Sequence, residues 1–180
     1  MKISVVVPTY NRVDTLREVL PSLLGQTLPK TDYEVIIADS RSSDGTAQLI
    51  ARLAQEPGAP VLRHLPGDYT GRASARNAGI AAAAAPLVLF TDADIIASPD
   101  LLERHVADHE SAAQRAAVVG CELQVRSLED YRAQRDHAAT RKPLHPASRR
   151  RISWLYFLTG NASVRREDLL AVGAFDEDFT

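Results

Sequence analysis

The chain has a single cysteine, Cys121, so no internal disulfide can form. Set in the apolar run VVGCELQV, that thiol is expected in the core, unpaired, in a reducing compartment. An excess of one charge is also missing. The 21 basic and 23 acidic residues give a formal net of -2, which leaves no basic field of the kind that gathers nucleic acid. No long hydrophobic run opens the chain. Ile3 to Val7 is broken by Pro8, too short for a signal peptide or a membrane span, and a cytoplasmic location is expected. Glycine-rich phosphate loops are absent as well. The first loop is PTYNR, with neither Gly-x-Gly-x-x-Gly nor Gly-Lys-Ser/Thr. A dinucleotide fold and a P-loop are both disfavoured, and any phosphates have to be held by metal and side chains. No internal repeat or linker divides the 180 residues, 45% of them hydrophobic, and one α/β domain is expected.

What is present is organised around Pro86 to Asp94, PLVLFTDAD. Leu87 to Phe90 reads as a strand buried on both faces, and Asp92 and Asp94 fall where it emerges. Residues two apart on an extended chain point the same way, with Ala93 on the other side. Two such carboxylates repel unless a cation lies between them or one is protonated. A divalent ion with a phosphate-bearing ligand meets that need, and solvated turn residues are the plain alternative. Lys2 to Val7 is the first strand, residues 14 to 25 an amphipathic helix, Tyr33 to Ala38 a second strand and Thr46 to Glu56 a second helix. Val61 to Leu65 is a third strand, followed by a loop with two glycines. Arg72 to Ala85 is an alanine-rich helix able to pack closely on a sheet.

Ser98 as N-cap and Pro99 at the first helical position should start a helix running to about Ala113. His105 and His109 are four apart on it and could share a metal, but no third ligand is evident, so a solvated face is expected. Val118 to Val125 reads as a fifth strand. Tyr131 to Arg151 then carries seven basic residues against one acidic. Such a stretch suits a segment closing over an anionic ligand, a peripheral contact with an acidic membrane surface, or an ordinary solvated loop. Trp154 to Leu158 is aromatic and apolar, Thr159-Gly160-Asn161 a turn, and Glu167 to Val172 a short helix stopped by Gly173.

Strands alternating with helices imply a mostly parallel sheet covered on both faces, with its ligand crevice outside the carboxyl ends of the strands. Three polar clusters fall at those ends: Thr9-Tyr10-Asn11, Asp39, and Asp92 with Asp94. Tyr10 could stack on a base, and Asp39 could accept a hydrogen bond from a base or ribose. At this point the chain resembles a family 2 glycosyltransferase domain of the GT-A fold, an α/β/α sandwich. The likeness runs through VVVPTYNR (5–12), DSRSSDGT (39–46), ARNAGI (75–80), TDAD (91–94) and TGNASVRREDLLAVGAFDEDF (159–179). The resemblance implies that Pro8, Thr9, Tyr10 and Asn11, with Arg12, line a nucleoside pocket, that Asp39 contacts the base, and that Arg72 or Arg76 lies near a pyrophosphate. It further implies that Asp92-Ala93-Asp94 binds ribose and the Mn²⁺ or Mg²⁺ bridging two phosphates. Gly160 and Asn161 would form the acceptor side.

On this reading residues 1–125 are the nucleotide-sugar-binding half and 126–180 the start of an acceptor-binding half. The implied reaction is an inverting displacement from a UDP-, GDP- or dTDP-sugar onto a hydroxyl of a polysaccharide, lipid-linked or other glycan acceptor. Ser40 and Arg41 stand where many members carry an acid and a glycine, which bears on base selectivity. The family's acidic catalytic-base motif follows Phe-Asp-Glu-x-Phe, here Phe175 to Phe179, so the base is expected beyond Thr180 in a longer protein. Asp176, Glu177 and Asp178 are poor substitutes for it. A nucleotide-sugar-binding module without turnover is the main alternative, and a sugar-phosphate nucleotidyltransferase is disfavoured by the PTYNR loop.

Overall fold

The structure is a computed structural model that describes residues 1–112, 115–122, 124–127, 129–132, 153 and 157–178. The basic stretch from residue 133 onward, Trp154 to Tyr156, and Phe179 lie outside the described residues. Among those described, the elements run β1 (Ile3–Thr9), α1 (Val13–Leu24), β2 (Tyr33–Asp39), α2 (Thr46–Ala54), β3 (Val61–Pro66), α3 (Arg72–Ala82) and β4 (Leu87–Thr91). They continue through α4 (Leu101–Ser111), β5 (Val118–Val119) and β6 (Asn161–Arg165) to α5 (Arg166–Ala171). The strands form one sheet in the order β3-β2-β1-β4-β6-β5, with the first four parallel and β6 antiparallel to both its neighbours.

Side chains alternate between two apolar layers, as the period of two requires. Ile3, Val5, Val7, Val35, Ile37, Leu87 and Leu89 pack with Leu16 and Leu20 of α1, Ile50 of α2 and Leu102 of α4. Val6, Ile36, Val88 and Phe90 pack on the other face with Ile80 of α3 and Leu169 of α5. Covered on both faces, β1, β2 and β4 are buried along their whole length, which is why they read as mostly apolar runs, interrupted within β1 and β2 by the buried Ser4 and Glu34. The α3 helix approaches β1 so closely that a Cβ on Gly79 would lie 2.3 Å from Val6 Cγ1.

The remaining expectations need adjustment at the chain's polar positions. The α4 helix starts at Leu101 rather than at Ser98-Pro99, because the Gln26 side chain takes over the capping. Its Oε1 accepts the Leu102 N–H at 3.0 Å while its Nε2 donates to Ser98 O at 2.8 Å. His105 and His109 are not solvated: each is only 3% exposed. The fifth strand is two residues long, and beyond Val119 the chain leaves the sheet, so Cys121 is exposed rather than buried. Asn161 belongs to no turn. It opens β6, which inserts antiparallel between β4 and β5.

The strand order runs outward from β1 through β2 to β3, then jumps back to place β4 on the other side of β1. That switch point opens a crevice where β1 and β4 end.

Candidate active site

The loops leaving β1 and β4 meet in a cavity of about 540 Å³, within the usual range for small-molecule sites. Pro8, Thr9, Tyr10 and Arg12 line it from the first loop, Asp92, Ala93 and Asp94 from the second, and Arg72 from the start of α3. Tyr10 is 61% exposed and its ring is open to the cavity, whereas Thr9 is buried and its Oγ1 has no hydrogen-bond partner among the described residues. Ala93 is buried in the same apolar layer as α1 and α4, and the Ile95 N–H donates to Asp92 O at 3.2 Å, so residues 92–95 form a turn beyond the end of β4 rather than the extended pair that alternation requires.

Asp92 is anchored. The Arg76 guanidinium donates to its Oδ1 at 2.7 Å, with the arginine side chain 9% exposed. Arg76 in turn stands 5.9 Å from the Phe175 ring centroid, and that ring meets Phe90 edge-on at 5.1 Å. Asn77 fixes the segment, donating to Phe175 O at 2.8 Å and accepting from Phe175 N at 2.9 Å. Arg76, Phe175, Asp176 and Glu177 thereby wall a second cavity of about 840 Å³ that shares Arg72 and Asp92 with the first.

Asp39, Asn11, Gly160 and Asn161 are not on either wall. Asp39 is 1% exposed. Its Oδ1 accepts from the Ser42 N–H and hydroxyl at 3.0 and 2.6 Å, and its Oδ2 from His64 Nε2 at 2.8 Å. Asn11 takes φ 48°, a left-handed conformation that asparagine tolerates. Its Oδ1 accepts from Ser43 N at 2.9 Å, and Asp44 reaches across to Val13 N at 2.8 Å. The DSRSSDGT run therefore staples the ends of β1 and β2 together, leaving Ser40 to line the cavity. Asn161 is held by the histidines of α4: His105 Nε2 donates to its Oδ1 at 2.9 Å, and Ser163 Oγ lies 2.7 Å from His105 Nδ1 and 2.9 Å from His109 Nε2.

Three residues escape sequence reasoning. Tyr69 and Thr70 line the first cavity. Tyr69 folds back over Gly67, where a Cβ would lie 2.6 Å from its ring, and donates to Leu65 O at 3.1 Å. A glycine two residues before an aromatic, in a loop at a strand's carboxyl end, is the signal that marks it. Glu122 is the third, and it is on neither cavity wall. Burial, and then the charges of Asp92 and Asp94, hold its carboxyl above the ordinary 4.5.

The oxygen-only donor set of Asp92 and Asp94, of which Arg76 pairs with Asp92 alone, fits a hard divalent cation such as Mn²⁺ or Mg²⁺. Among the described residues no group of three or more His, Cys, Asp or Glu is disposed to hold a metal alone. The remaining positions would fall to water and phosphate oxygens. Also among the described residues, no helix is long and apolar enough to cross a membrane.

The family model of glycosyl transferase family 2 matches residues 4–173. The chain belongs to that family. This family 2 chain is 33% identical over 206 aligned residues to the validoxylamine A glucosyltransferase of Streptomyces hygroscopicus subsp. jinggangensis, covering 99% of the chain and 48% of that protein. It thus spans about half the length of that relative. The chain superposes on S. aureus TarS 1–349 with TM-score 0.77 at 23% identity, over 100% of this chain and 52% of that one, which establishes the GT-A fold. A mannosyltransferase from Pyrobaculum calidifontis, solved with GDP-Man and Mn²⁺, matches with TM-score 0.76 at 26% identity over 98% of this chain and 48% of its own.

Proposed function

We propose that the family 2 chain binds a nucleotide diphosphate sugar at the β1/β4 crevice and serves its transfer, with inversion, to a hydroxyl of a glycan or lipid-linked acceptor. The observation that carries the reading is the convergence of Thr9, Tyr10, Arg72, Asp92 and Asp94 on one cavity at the switch point. The relative named a glucosyltransferase, and the mannosyltransferase solved with GDP-Man and Mn²⁺, support it. Tyr10 offers its exposed ring to the base, and Thr9 its unpartnered hydroxyl to a polar group of the ligand. Arg72 and Arg12 supply positive charge on the cavity wall.

Asp94 and Asp92 are the residues that would hold Mn²⁺ or Mg²⁺. When bound, such an ion stabilises charge building on a departing diphosphate. Arg76 keeps one Asp92 oxygen occupied, so Asp94 is the freer ligand and Asp92 directs its other oxygen to ribose or to a water. Positioning and this fixed field are the chain's contribution to rate. Titration calorimetry of UDP and GDP with Mn²⁺, and then with EDTA, tests the reading. Asp94→Ala should weaken metal-dependent binding by about a hundredfold, and unchanged metal-dependent affinity would refute it.

A further inference from the structure

The carboxyl ends of β1, β2 and β3 are level. Thr9 pairs in register with Asp39, and Asp39 with Pro66. The hydrogen bonding runs one step past the strands: Ser40 N donates to Thr9 O at 3.0 Å, and Gly67 N donates to Asp39 O at 3.0 Å. The loop leaving β3 is thus pinned to the end of β2 before Tyr69 is reached. Tyr69 then folds back on this support. Its hydroxyl donates to Leu65 O at 3.1 Å, and a Cβ on Gly67 would lie 2.6 Å from its Cζ and 2.7 Å from its Cε1. Both separations are shorter than real Cβ contacts, so a glycine at 67 is what leaves the ring its place.

The cavity sets this ring against one part of a ligand. Thr70, Gly71, Arg72 and Asp92 border both cavities, whereas Tyr69, Ser40, Thr9 and Tyr10 line the first alone. In the order β3-β2-β1-β4 the aspartates follow one outer strand of the four and Tyr69 the other, three strand spacings of about 4.8 Å apart. A diphosphate held at Asp94 lies toward one end of that row, and the base, which is separated from the phosphates by the ribose, extends toward the other. What Tyr69 offers there is carbon surface, because its hydroxyl proton is already given to Leu65 O. A flat heterocycle stacks on such a surface, and a phosphate gains nothing from it. Among the described residues on this wall, Tyr10 and Tyr69 are the two aromatic side chains.

We propose that Tyr69 binds the nucleobase of the donor, as a second aromatic surface along with Tyr10, and that Gly67 is the positioning residue that gives its ring room. The assignment rests on the donor-binding reading above. Calorimetry with Mn²⁺ tests it on UDP, on GDP and on inorganic pyrophosphate, which carries no base. For whichever nucleotide the wild type binds more tightly, Tyr69→Ala should weaken binding about tenfold or more. Affinity for pyrophosphate should stay within about twofold. Tyr69→Phe, which keeps the ring, should retain most of the nucleotide affinity. Gly67→Ala should reproduce the loss by displacing the ring, again without touching pyrophosphate. Nucleotide affinity within about twofold of wild type in Tyr69→Ala, a loss that pyrophosphate shares in full, or an equal loss in Tyr69→Phe overturns the assignment and leaves the donor-binding reading standing. A wild-type protein that binds neither nucleotide overturns both.

Discussion

At the amino ends of β1 and β2, Ser4 and Glu34 are 0% and 1% exposed, while at the carboxyl ends Thr9 and Arg76 are 6% and 7% exposed. The burial is alike, but the hydrogen bonding is not. Glu34 Oε1 accepts from Ser4 Oγ at 2.6 Å and Ala84 N at 2.7 Å, and its Oε2 from Arg63 at 3.1 Å. Ser4 Oγ in turn accepts from Ala85 N at 3.1 Å. Burial alone would raise the Glu34 carboxyl, but these partners outweigh it and hold the carboxyl below its ordinary 4.5. At the other end, Thr9 Oγ1 and Arg76 Nε have no partner among the described residues. A buried polar group left unpaired costs about 1–3 kcal/mol. The amino-end pair is satisfied within the protein, as Asp39 is at the carboxyl end, whereas Thr9 Oγ1 and Arg76 Nε at that end are not.

The comparison breaks most visibly at the amino end. Glu34→Ala strands the Ser4 hydroxyl and the Ala84 N–H and takes the carboxylate from Arg63, which keeps Ala82 O. Losing one member of a buried pair costs about 3–5 kcal/mol, and because Arg63 is 41% exposed the lower figure is expected. Denaturant unfolding should record that loss while UDP affinity of the folded protein stays unchanged. At the carboxyl end the balance reverses. Arg76→Met frees Asp92 and removes a cation from the rim. Stability should fall by about 2 kcal/mol, less than for Glu34, and metal-dependent nucleotide affinity by about tenfold. Equal effects of the two variants on binding would erase the distinction between the ends.

A third region behaves like the amino end but is built on imidazoles in place of a carboxylate. Burial lowers His105 from its ordinary 6.5, an effect that the Asn161 bond and the Asp108 charge oppose and His109 reinforces. Burial and the Arg165 charge likewise lower His109, against Ser163 and Asp108. The folded protein thus binds these protons less well than the unfolded chain. The stability from the neutral pair is complete above 6.5 and is lost as pH falls from there through the lowered values. The melting temperature should be a few degrees lower at pH 5.5 than at 7.5, at about 2–4 °C per kcal/mol for a chain of this size. His105→Gln should flatten that dependence. The Glu34 contribution is present above 4.5 and is lost only as pH falls below it, so the two windows separate.

These three regions were unequally legible in the sequence. The strands β1, β2 and β4 announce themselves because both faces are covered, and Thr9, Tyr10, Asp92 and Asp94 follow from where those strands must end. What the pattern hides is polar burial. Asn161 reads as a turn because its partner, His105, sits more than fifty residues away on α4. The strand β6 therefore vanishes from an apolarity count. Cys121 misleads in the opposite sense: its neighbours are apolar, yet the chain has already left the sheet at Val119. Asp39 is correctly placed at a strand end, but no periodicity foretells that Ser42 and His64 occupy its oxygens.

The smallest expected effect is the sharpest probe of the difference between the two ends. Thr9→Val keeps the shape of the side chain and replaces the unpartnered Oγ1 with a methyl. If the hydroxyl waits for a ligand, its removal lifts a desolvation penalty in the empty protein, and stability should rise by about 1 kcal/mol. Nucleotide-sugar affinity should meanwhile fall by roughly fivefold, the worth of one neutral hydrogen bond. Ser4→Val, the same kind of change at the amino end, removes a hydroxyl that serves Glu34 and Ala85, and it should lower stability without touching affinity. Gain and loss of opposite sign from two hydroxyl deletions on one strand would separate a group kept for the fold from a group kept for the ligand. A loss of stability in both would mean that Thr9, too, is satisfied within the protein.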